Sequence, residues 1–356
     1  MLRKLKRNLT AAQKNTYTNF FTYGVVFLVY MVMLGMTVNG SISSSLKGML
    51  ISICAYIVMA ISLNLTVGVL GELSLGHAGF MSMGAFTGVT AAIALQGRIP
   101  SNDLRLAIGL VVGAIFAGIA GFLIGIPVLR LKGDYLAIVT LAFGEIIKSI
   151  FNNLYVGVDE HGLQLSMLTD KTKLAEGGKL IIGGPMGIGG IQKISTFTAG
   201  FLLVMITLVI VFNLVDSRAG RAIMAIRDNR IAAESVGLNV TKYKMMAFVT
   251  SAALAGAAGA LFAMNYSTIV ANKFDFNTSI LILVFVVLGG LGNMLGSIVA
   301  ATALTILPEA LRQFSDYRML VYAVVLILVM LCTNNPTLKN LFNRAKTRSM
   351  HGKERE

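Results

Sequence analysis

Long apolar runs separated by short polar segments make up most of the sequence. The runs cover residues 20–38, 47–67, 73–95, 106–129, 135–152, 197–215, 245–264, 279–288, 297–311 and 319–333. A helix needs about 20 residues to cross a bilayer, and most of the runs approach that length. The runs at 279–288 and 297–311 are short, and we interpret the glycine-rich segment 289–296 between them as the break of a discontinuous helix. The pattern therefore predicts eight to ten crossings.

The composition supports a membrane protein. Hydrophobic residues account for 56% of the 356 residues, charged residues for 13%, and the mean hydropathy is +0.77. Soluble proteins contain about 25% charged residues, so this chain has too few for a soluble surface. The 37 glycines against five prolines favour closely packed helices over disorder. We expect an all-α polytopic membrane helix bundle of about eight to ten transmembrane helices, some of them short or broken.

The net charge of +14 does not indicate nucleic-acid binding. The basic residues lie mostly in clusters beside apolar runs, with few aromatic residues among them. That distribution is typical of the cytoplasmic ends of membrane helices. The lipid bilayer is therefore the expected partner, and no nucleic acid is expected.

Charge alternation predicts the orientation and the domain boundaries. With the basic segment 1–19 in the cytoplasm, the polar loop 216–244 and the basic tail 336–356 also fall inside. The membrane domain then covers residues 20–335, and loop 153–196 lies outside. A loop of this length is uncommon unless it has a function, and this one could be a flexible loop or a structured cap. Eight or ten crossings both leave the two termini inside.

Two short small-residue motifs occur inside apolar runs. AGIAG covers residues 117–121, and AGAAG covers residues 255–259. Two spans that run in opposite directions and carry similar motifs are expected of an inverted repeat. Close packing of ordinary membrane helices explains the same motifs equally simply.

The first candidate substrate-pathway segment, residues 68–88, is too polar and too rich in glycine for a lipid-facing helix. Backbone released from helical bonding at Gly71 or Gly76 must be covered by protein or by a water-filled cavity. Helix ends at such breaks attract anionic groups, which suggests a substrate carboxylate. Glu72, Ser74 and His77 supply the polar side chains. Alternatively, His77 is a hydrogen-bonded residue that only holds the turn.

The second candidate segment covers residues 133–150, with Asp134 as its helix cap. Glu145 then lies about 16 Å deeper at 1.5 Å per residue, and Lys148 follows one turn later. An ionisable group at that depth is a functional candidate and should face the bundle. The alternative is an internal ion pair that fixes packing. Thr140 on this helix is also predicted to line the pathway. The glycines of the predicted break assigned to the pathway are Gly289, Gly290 and Gly292.

Loop 216–244 is the one long polar island between apolar runs that carries a dense basic cluster. Its basic residues are Arg218, Arg221, Arg227, Arg230, Lys242 and Lys244. Residues 222–235 can form one helix that presents Ile223, Ile226, Ile231 and Val236 on one side, and Gly237 would end it. The loop either only sets the topology or forms a surface helix that docks into a soluble protein.

Several catalytic motifs are absent from the sequence. It contains no GxxxxGK[ST], HExxH or GxSxG pattern, and nothing resembles a metal-ligand pair. Few acidic residues lie within the apolar runs, which argues against a carrier that relays protons between carboxylates. We therefore expect no enzymatic activity, no catalytic residues, and no metal or cofactor on this chain.

At this level of detail the chain resembles the permease subunits of branched-chain amino acid ABC transporters. The resemblance covers about residues 46–335 and rests on long motifs in one order: GELSLGHAGFMSMGAF, GDYLAIVTLAFGEII, GGPMGI, GRAIMAIRDNRIAAESVGLNVTKYKMMAF, LAGAAGALFA and VVLGGLGNMLGSIVAA. The GDYLAIVTL block is similar to the longer of the two permease paralogues. The family's cytoplasmic loop meets its ATPase through Ala-Ala-x-x-x-Gly, matched by Ala232, Ala233 and Gly237. A broader consensus has Glu where this chain has Ile231.

The resemblance implies an importer subunit in the bacterial cytoplasmic membrane, with both termini cytoplasmic. It implies a heterodimer with a paralogous permease, two ABC ATPase subunits that bind ATP and Mg, and an extracytoplasmic amino-acid-binding protein. The residues expected to contact the ATPase are Ile226, Arg227, Asp228, Asn229, Ala232, Ala233, Glu234 and Gly237. Open alternatives are a permease of the same family for urea or amides, a homodimer, and a stand-alone secondary carrier or channel.

Overall fold

A computed structural model describes residues 11–38, 44–131, 133–159, 162–167 and 179–311, together with residues 323, 324 and 327. The helices are α1 (Ala11–Val38), α2 (Ser44–Asn64), α3 (His77–Ala94), α4 (Asn102–Val128), α5 (Asp134–Asn153), α6 (Phe197–Asp216), α7 (Arg218–Asp228), α8 (Arg230–Ser235), α9 (Val240–Ala263), α10 (Phe276–Gly289) and α11 (Met294–Ala310). A π-helical turn, Leu65–Leu70, continues α2. Residues 1–10, the tail 336–356 and most of the predicted run 319–333 lie outside the described residues.

Seven helical segments in the described part of the chain are long and apolar enough to cross a membrane. They are Asn19–Thr37, Leu46–Leu70, Asn102–Val128, Tyr135–Asn153, Phe197–Asp216, Val240–Ala263 and Ala271–Gly289. The apolar helix α11 is shorter, with 17 residues. The prediction of a polytopic membrane helix bundle is thus confirmed.

The centre of the bundle is formed by α2 and α9. The most apolar windows of these two spans are 89% and 72% buried, whereas no other described span exceeds 33%. By contrast, α1 is almost entirely exposed and lies at the edge, where Tyr30 stacks on Phe201 of α6 at 3.8 Å between ring centroids. The loop helices α7 and α8 pack on α9, α10 and α11 pack on α2, and α5 packs mainly on α3.

The two small-residue motifs meet where α4 crosses α9. Gly256 packs against Gly113 and Ala117, and Gly121 packs against Ala252. Residues later in α4 thus contact residues earlier in α9, so the two helices are antiparallel. Small side chains let their backbones approach closely, which is the packing explanation of both motifs.

The described part of loop 153–196 is folded. Strands β1 (Leu154–Asp159), β2 (Gly162–Met167) and β3 (Lys179–Gly183) form an antiparallel sheet in the order β2-β1-β3. A short ladder joins β4 (Ile188–Gly189) to β5 (Thr268–Ile269), which follows α9. We call this end of the bundle the sheet end.

The opposite end of the bundle carries α7 and α8, and we call it the loop end. Helix α6 runs to it from the sheet end over 20 residues, and α9 returns over 24 residues. Residues 289–296 also turn at this end, beside Asp216 and Asn19. Gly289 packs against Gly296 and Ser297, so α10 and α11 fold back on each other. The segment predicted as a break within one helix is therefore a tight turn between two helices.

Candidate functional site at the loop end

Two capped helices form the loop 216–244 where the sequence predicted one continuous helix over residues 222–235. Helix α7 ends at Asp228, and Asn229 adopts an extended conformation with φ −156° and ψ 103°. The Asn229 side chain accepts a hydrogen bond from the Ala232 N–H at 3.0 Å, which caps α8. Gly237 follows α8 with a φ of +84°, a conformation that favours glycine. The prediction missed the capping preference of asparagine.

The break at Asn229 changes which apolar residues are buried. Ile223 and Ile226 are buried. Ile231 and Val236, which the single helix placed on the same side, are 80% and 76% exposed. A small apolar cluster of Ile226, Ala233 and Val240 holds α8 in place from below. The single apolar side predicted for residues 222–235 is therefore divided, and Ile231 and Val236 form an exposed apolar tip.

Charged residues surround the exposed apolar tip. Arg230 pairs with Glu234 across one turn of α8 at 2.9 Å. Arg227 pairs with the neighbouring Asp228 at 3.1 Å. These exposed pairs contribute little to stability, but they give the tip a mixed-charge rim. Asp228, Asn229, Ala232 and Glu234 all lie on or near this surface.

Arg227 also reaches inward to the end of the π-helical turn. Its Nη1 donates a hydrogen bond to the Gly68 carbonyl at 2.9 Å. Its aliphatic part lies against Gly71, where a Cβ atom would be 2.5 Å from Arg227 Cγ. Gly71 has a φ of +80°, so both its backbone conformation and the space beside it favour glycine. The carbonyl groups at a helix end lack helical partners, and Arg227 supplies one.

A largely buried ion pair joins Glu72, the residue after Gly71, to α9. Glu72 pairs with Lys244, and only 14% and 5% of the two side chains are exposed. Glu72 N also donates to the Thr66 carbonyl at 3.1 Å, which holds the chain against the π-helical turn. The segment after α2 is thus fastened both to the end of α7 through Arg227 and to the start of α9 through Lys244.

Asn64, at the end of α2, links this region to the α10–α11 turn. Its Oδ1 accepts from the Gly292 N–H at 2.8 Å, and its Nδ2 donates to Ser297 Oγ at 2.8 Å. Gly292 has a φ of +79°, and the backbone of Gly68 packs against it. The sequence reasoning missed Asn64, although a buried amide inside the apolar run 47–67 is itself a signal.

A second group of predicted pathway residues lies deeper in the bundle. Thr140 Oγ1 accepts from the Leu75 N–H at 3.1 Å, and Gly76 lies against the Thr140 carbonyl. His77 Nε2 is hydrogen-bonded to Ser62 Oγ at 2.8 Å. This contact corresponds to the alternative in which the histidine holds the turn, and contact with a substrate stays a prediction. Ser74 Oγ is buried without a hydrogen-bond partner among the described residues.

Glu145 and Lys148 form the predicted ion pair on α5. The Glu145 side chain is 42% exposed and the Lys148 side chain is 24% exposed. Both side chains therefore lie at the edge of the exposed face of α5. A narrow cleft beside Glu145 is lined by Gly144, Asp275 and Ser279. The carboxylate therefore lies at the border of the bundle, next to the start of α10.

The structure thus brings the predicted residues together in two groups. Gly71, Glu72, Gly289, Gly290 and Gly292 lie at the loop end, the first two against Arg227 or Lys244. Ser74, Gly76, His77, Thr140 and Glu145 lie further into the bundle. Among the described residues, no group of three or more His, Cys, Asp or Glu side chains could hold a metal ion.

A large groove on the described surface is separate from both groups. It has a volume of about 840 Å³ and runs between α4, α6 and α9, with apolar residues such as Leu110, Leu202 and Leu254 along it. None of the predicted pathway residues lines it. An apolar groove between membrane helices needs no function beyond contact with lipid tails.

Comparison with known proteins returns one family model and several relatives. The model is described as "Branched-chain amino acid transport system / permease component" and matches residues 45–330. The high-affinity branched-chain amino acid transport system permease proteins LivM of Salmonella typhimurium and Escherichia coli are each 36% identical over 286 residues, 78% of this chain. The match spans 66% of each relative, just under two thirds of its length. The fructose import permease protein FruG of Bifidobacterium longum is 24% identical over 82% of both chains. No solved structure matches the chain.

Proposed function

The chain belongs to the permease-component family of branched-chain amino acid transport systems, and from this premise we propose that it is a transmembrane subunit of an ATP-driven importer. In this proposal it forms part of the translocation pathway and carries out no chemistry itself. ATP and Mg bind to two partner ATPase subunits. A paralogous permease completes the pathway, and an extracytoplasmic binding protein delivers the substrate.

The exposed tip of α8 is the observation that carries this proposal. Ile231 and Val236 are large apolar side chains with 80% and 76% exposure at the end of an otherwise polar loop. The caps at Asn229 and Asn239 and the cluster beneath Ala233 hold this loop in one shape. A rigid apolar tip with a charged rim has the composition of a protein docking site. We assign it to the ATPase subunit.

The orientation follows from this assignment. ATP is in the cytoplasm, so the loop end faces the cytoplasm and the sheet end faces outward. The clustering of basic residues in loop 216–244 agrees with this orientation. The folded sheet is then available to the binding protein.

Branched-chain amino acids are the substrates we propose. The LivM relatives carry that substrate class in their names, while FruG is named as a fructose import permease. The overall fold is thus compatible with several solutes, and urea or an amide is the related alternative. Competition of labelled leucine uptake by isoleucine, valine, urea and fructose, measured with the matching binding protein, decides between them. Competition by fructose or urea alone would contradict the assignment.

Docking is tested by introducing a charge at the tip. We expect Val236→Asp to lower the amount of ATPase that co-purifies by at least about tenfold, because an aspartate would be buried against an apolar surface. Met186→Asp is the matched control, since Met186 is similarly exposed, at 80% against 76%, but lies at the sheet end. Equal loss of ATPase with both variants would contradict the docking assignment. Leucine uptake that continues when the ATPase is inactivated would indicate a secondary carrier or channel.

A further inference from the structure

Arg227 does not belong to the exposed docking surface alone. Its guanidinium bonds to Asp228 on the surface and, through Nη1, to the Gly68 carbonyl 2.9 Å away. The side chain passes over Gly71, which leaves no room for any other residue type at that position. A movement of α7 therefore cannot occur without moving Gly68 and Gly71 or breaking this contact.

Lys244 makes the corresponding contact from the other end of the loop. The Lys244–Glu72 pair is shielded from solvent, with 5% and 14% of the side chains exposed. Water screens such a pair only weakly, so separating its charges is far more costly than at the surface. The helices α7 and α9, which precede and follow α8 in the chain, are thus both attached to residues 68–72.

Asn64 extends the linkage from residues 68–72 to the α10–α11 turn. Its side chain is fully buried and holds Gly292 N and Ser297 Oγ, each at 2.8 Å. The Gly68 backbone lies beside the Asn64–Gly292 hydrogen bond, and a side chain at Gly68 would collide with both residues. A shift of the π-helical turn is therefore passed directly to the turn that joins α10 to α11.

We propose that Arg227, Lys244 and Asn64 are positioning residues that transmit movement of the docking loop to the loop-end turns of the bundle. The inference rests on the proposed function, because it assumes that a partner moves the loop. The moved element is the π-helical turn Leu65–Leu70, a type of turn that is rare and is found frequently at functional sites. Through it the loop controls the spacing between residues 68–72 and 289–293, where the cytoplasmic end of the pathway opens or closes.

The linkage itself is tested on the purified full chain without an ATPase. Arg227→Met keeps the aliphatic stem over Gly71 but removes the hydrogen bonds. We expect backbone amides of residues 68–72 and 290–293 to exchange with deuterium about tenfold faster. Arg221→Met is the matched control, since Arg221 lies on the same helix and bonds only to the exposed Asp216 carbonyl. Faster exchange confined to α7, or equal acceleration in the control, would overturn the proposal.

Transmission is tested in the assembled transporter in membranes. Among the complexes that assemble, we expect Arg227→Met to raise the number of ATP molecules hydrolysed per amino acid imported by about fivefold. Arg227→Lys, which keeps a donor near Gly68, should recover part of the coupling. A purely structural role predicts fewer assembled complexes with an unchanged ratio, and that result would overturn the proposal. Loss of ATPase from Val236→Asp alone bears on docking and leaves this ratio as an independent measurement.

The ion pair offers a charge-swap test. Glu72→Lys and Lys244→Glu each place two like charges in a buried position, and each should uncouple hydrolysis from uptake. The double variant restores opposite charges and should recover coupling. Failure of the double variant to recover, at normal amounts of assembled complex, would show that these residues do not act as a pair.

Discussion

Gly84 and Gly256 bring the backbones of α3 and α9 into direct contact, and Gly113 of α4 packs into the same point. A Cβ atom at Gly113 would lie 2.9 Å from the Gly84 carbonyl oxygen, and one at Gly256 would lie 2.5 Å from the Gly113 carbonyl oxygen. Three helices therefore meet with their backbones in close contact, and the side chains beside this contact are the methyl groups of Ala117 and Ala260. This contact sets the distance between α3, which begins at His77, and the central helix α9.

Gly256→Ala tests this three-helix contact. The added methyl group forces the helices apart, and we expect the free energy of unfolding to fall by about 1–3 kcal/mol. Gly35→Ala is the control, because Gly35 lies in α1 with no atom within 4 Å of its Cβ position. Thermal unfolding in detergent provides the measurement. Equal stability of the two variants would contradict the close approach.

Thr140→Val is expected to loosen the segment before α3. The substitution keeps the shape of the side chain but leaves the Leu75 N–H without its acceptor. A buried donor without a partner costs about 1–3 kcal/mol, so both stability and leucine uptake should fall. Thr140→Ser retains the hydroxyl group and serves as the control. If serine and valine behave alike, the hydrogen bond to Leu75 does not matter.

Asn229→Ala removes the cap of α8 and should disorder the docking tip. Loss of such a cap costs about 0.5–2 kcal/mol, which is large for a helix of six residues. We expect faster deuterium exchange at Ala232 and a smaller fraction of retained ATPase. Asn229→Asp keeps the acceptor oxygen and should preserve both properties. Normal ATPase retention by the alanine variant would separate docking from the shape of α8.

The orientation can be read from cysteine accessibility. In a background without Cys54 and Cys332, Met186→Cys should react in intact cells with a thiol reagent that cannot cross membranes. Val236→Cys, which is about as exposed, should react only after the membrane is opened. Surface labelling followed by mass spectrometry provides the measurement. The reverse pattern would place the loop end outside.

The partial exposure of Glu145 predicts that water or protein, and not lipid, covers the surface beside α5. A charged side chain that faces lipid at mid-membrane costs about 2.5–3.5 kcal/mol on insertion scales, whereas the 42% exposure of Glu145 to water would carry no such cost. We therefore expect Ala142→Cys, on the exposed face one turn away, to react with a charged thiol reagent in the assembled transporter. Ile119→Cys on the exposed face of α4 should not react. Protection of both positions would argue against a pathway along α5.

The bundle could be predicted from sequence because apolar runs and basic clusters report directly on the bilayer. The pairing of Glu145 with Lys148 also followed from helical spacing, since the two residues are one turn apart. Contacts between distant residues could not be predicted in this way. Arg227 and Gly68 are 159 positions apart, and Asn64 and Gly292 are 228 apart. Only the packing of α2 with the loop and with α10 brings them together.

Local chemistry also misled the prediction at two places. The amphipathic spacing of residues 222–235 favoured one helix, but the Asn229 side chain stabilises an extended residue and starts a new helix. The glycines at 289–296 indicated interrupted helix, but spacing alone does not distinguish a kink from a reversal. Gly290 and Gly292, with φ values of +94° and +79°, make the reversal possible.

The junction between α5 and β1 has a mechanical consequence for the whole molecule. The helix ends at Asn153 and the strand begins at Leu154, so no loop residue lies between them. Asn152 is also bonded to Asn272, just before α10, at 3.1 Å. The sheet is therefore connected directly to α5, the helix that carries Thr140 and Glu145. A push on the sheet from one side of the membrane would tilt those residues without first having to order a loop.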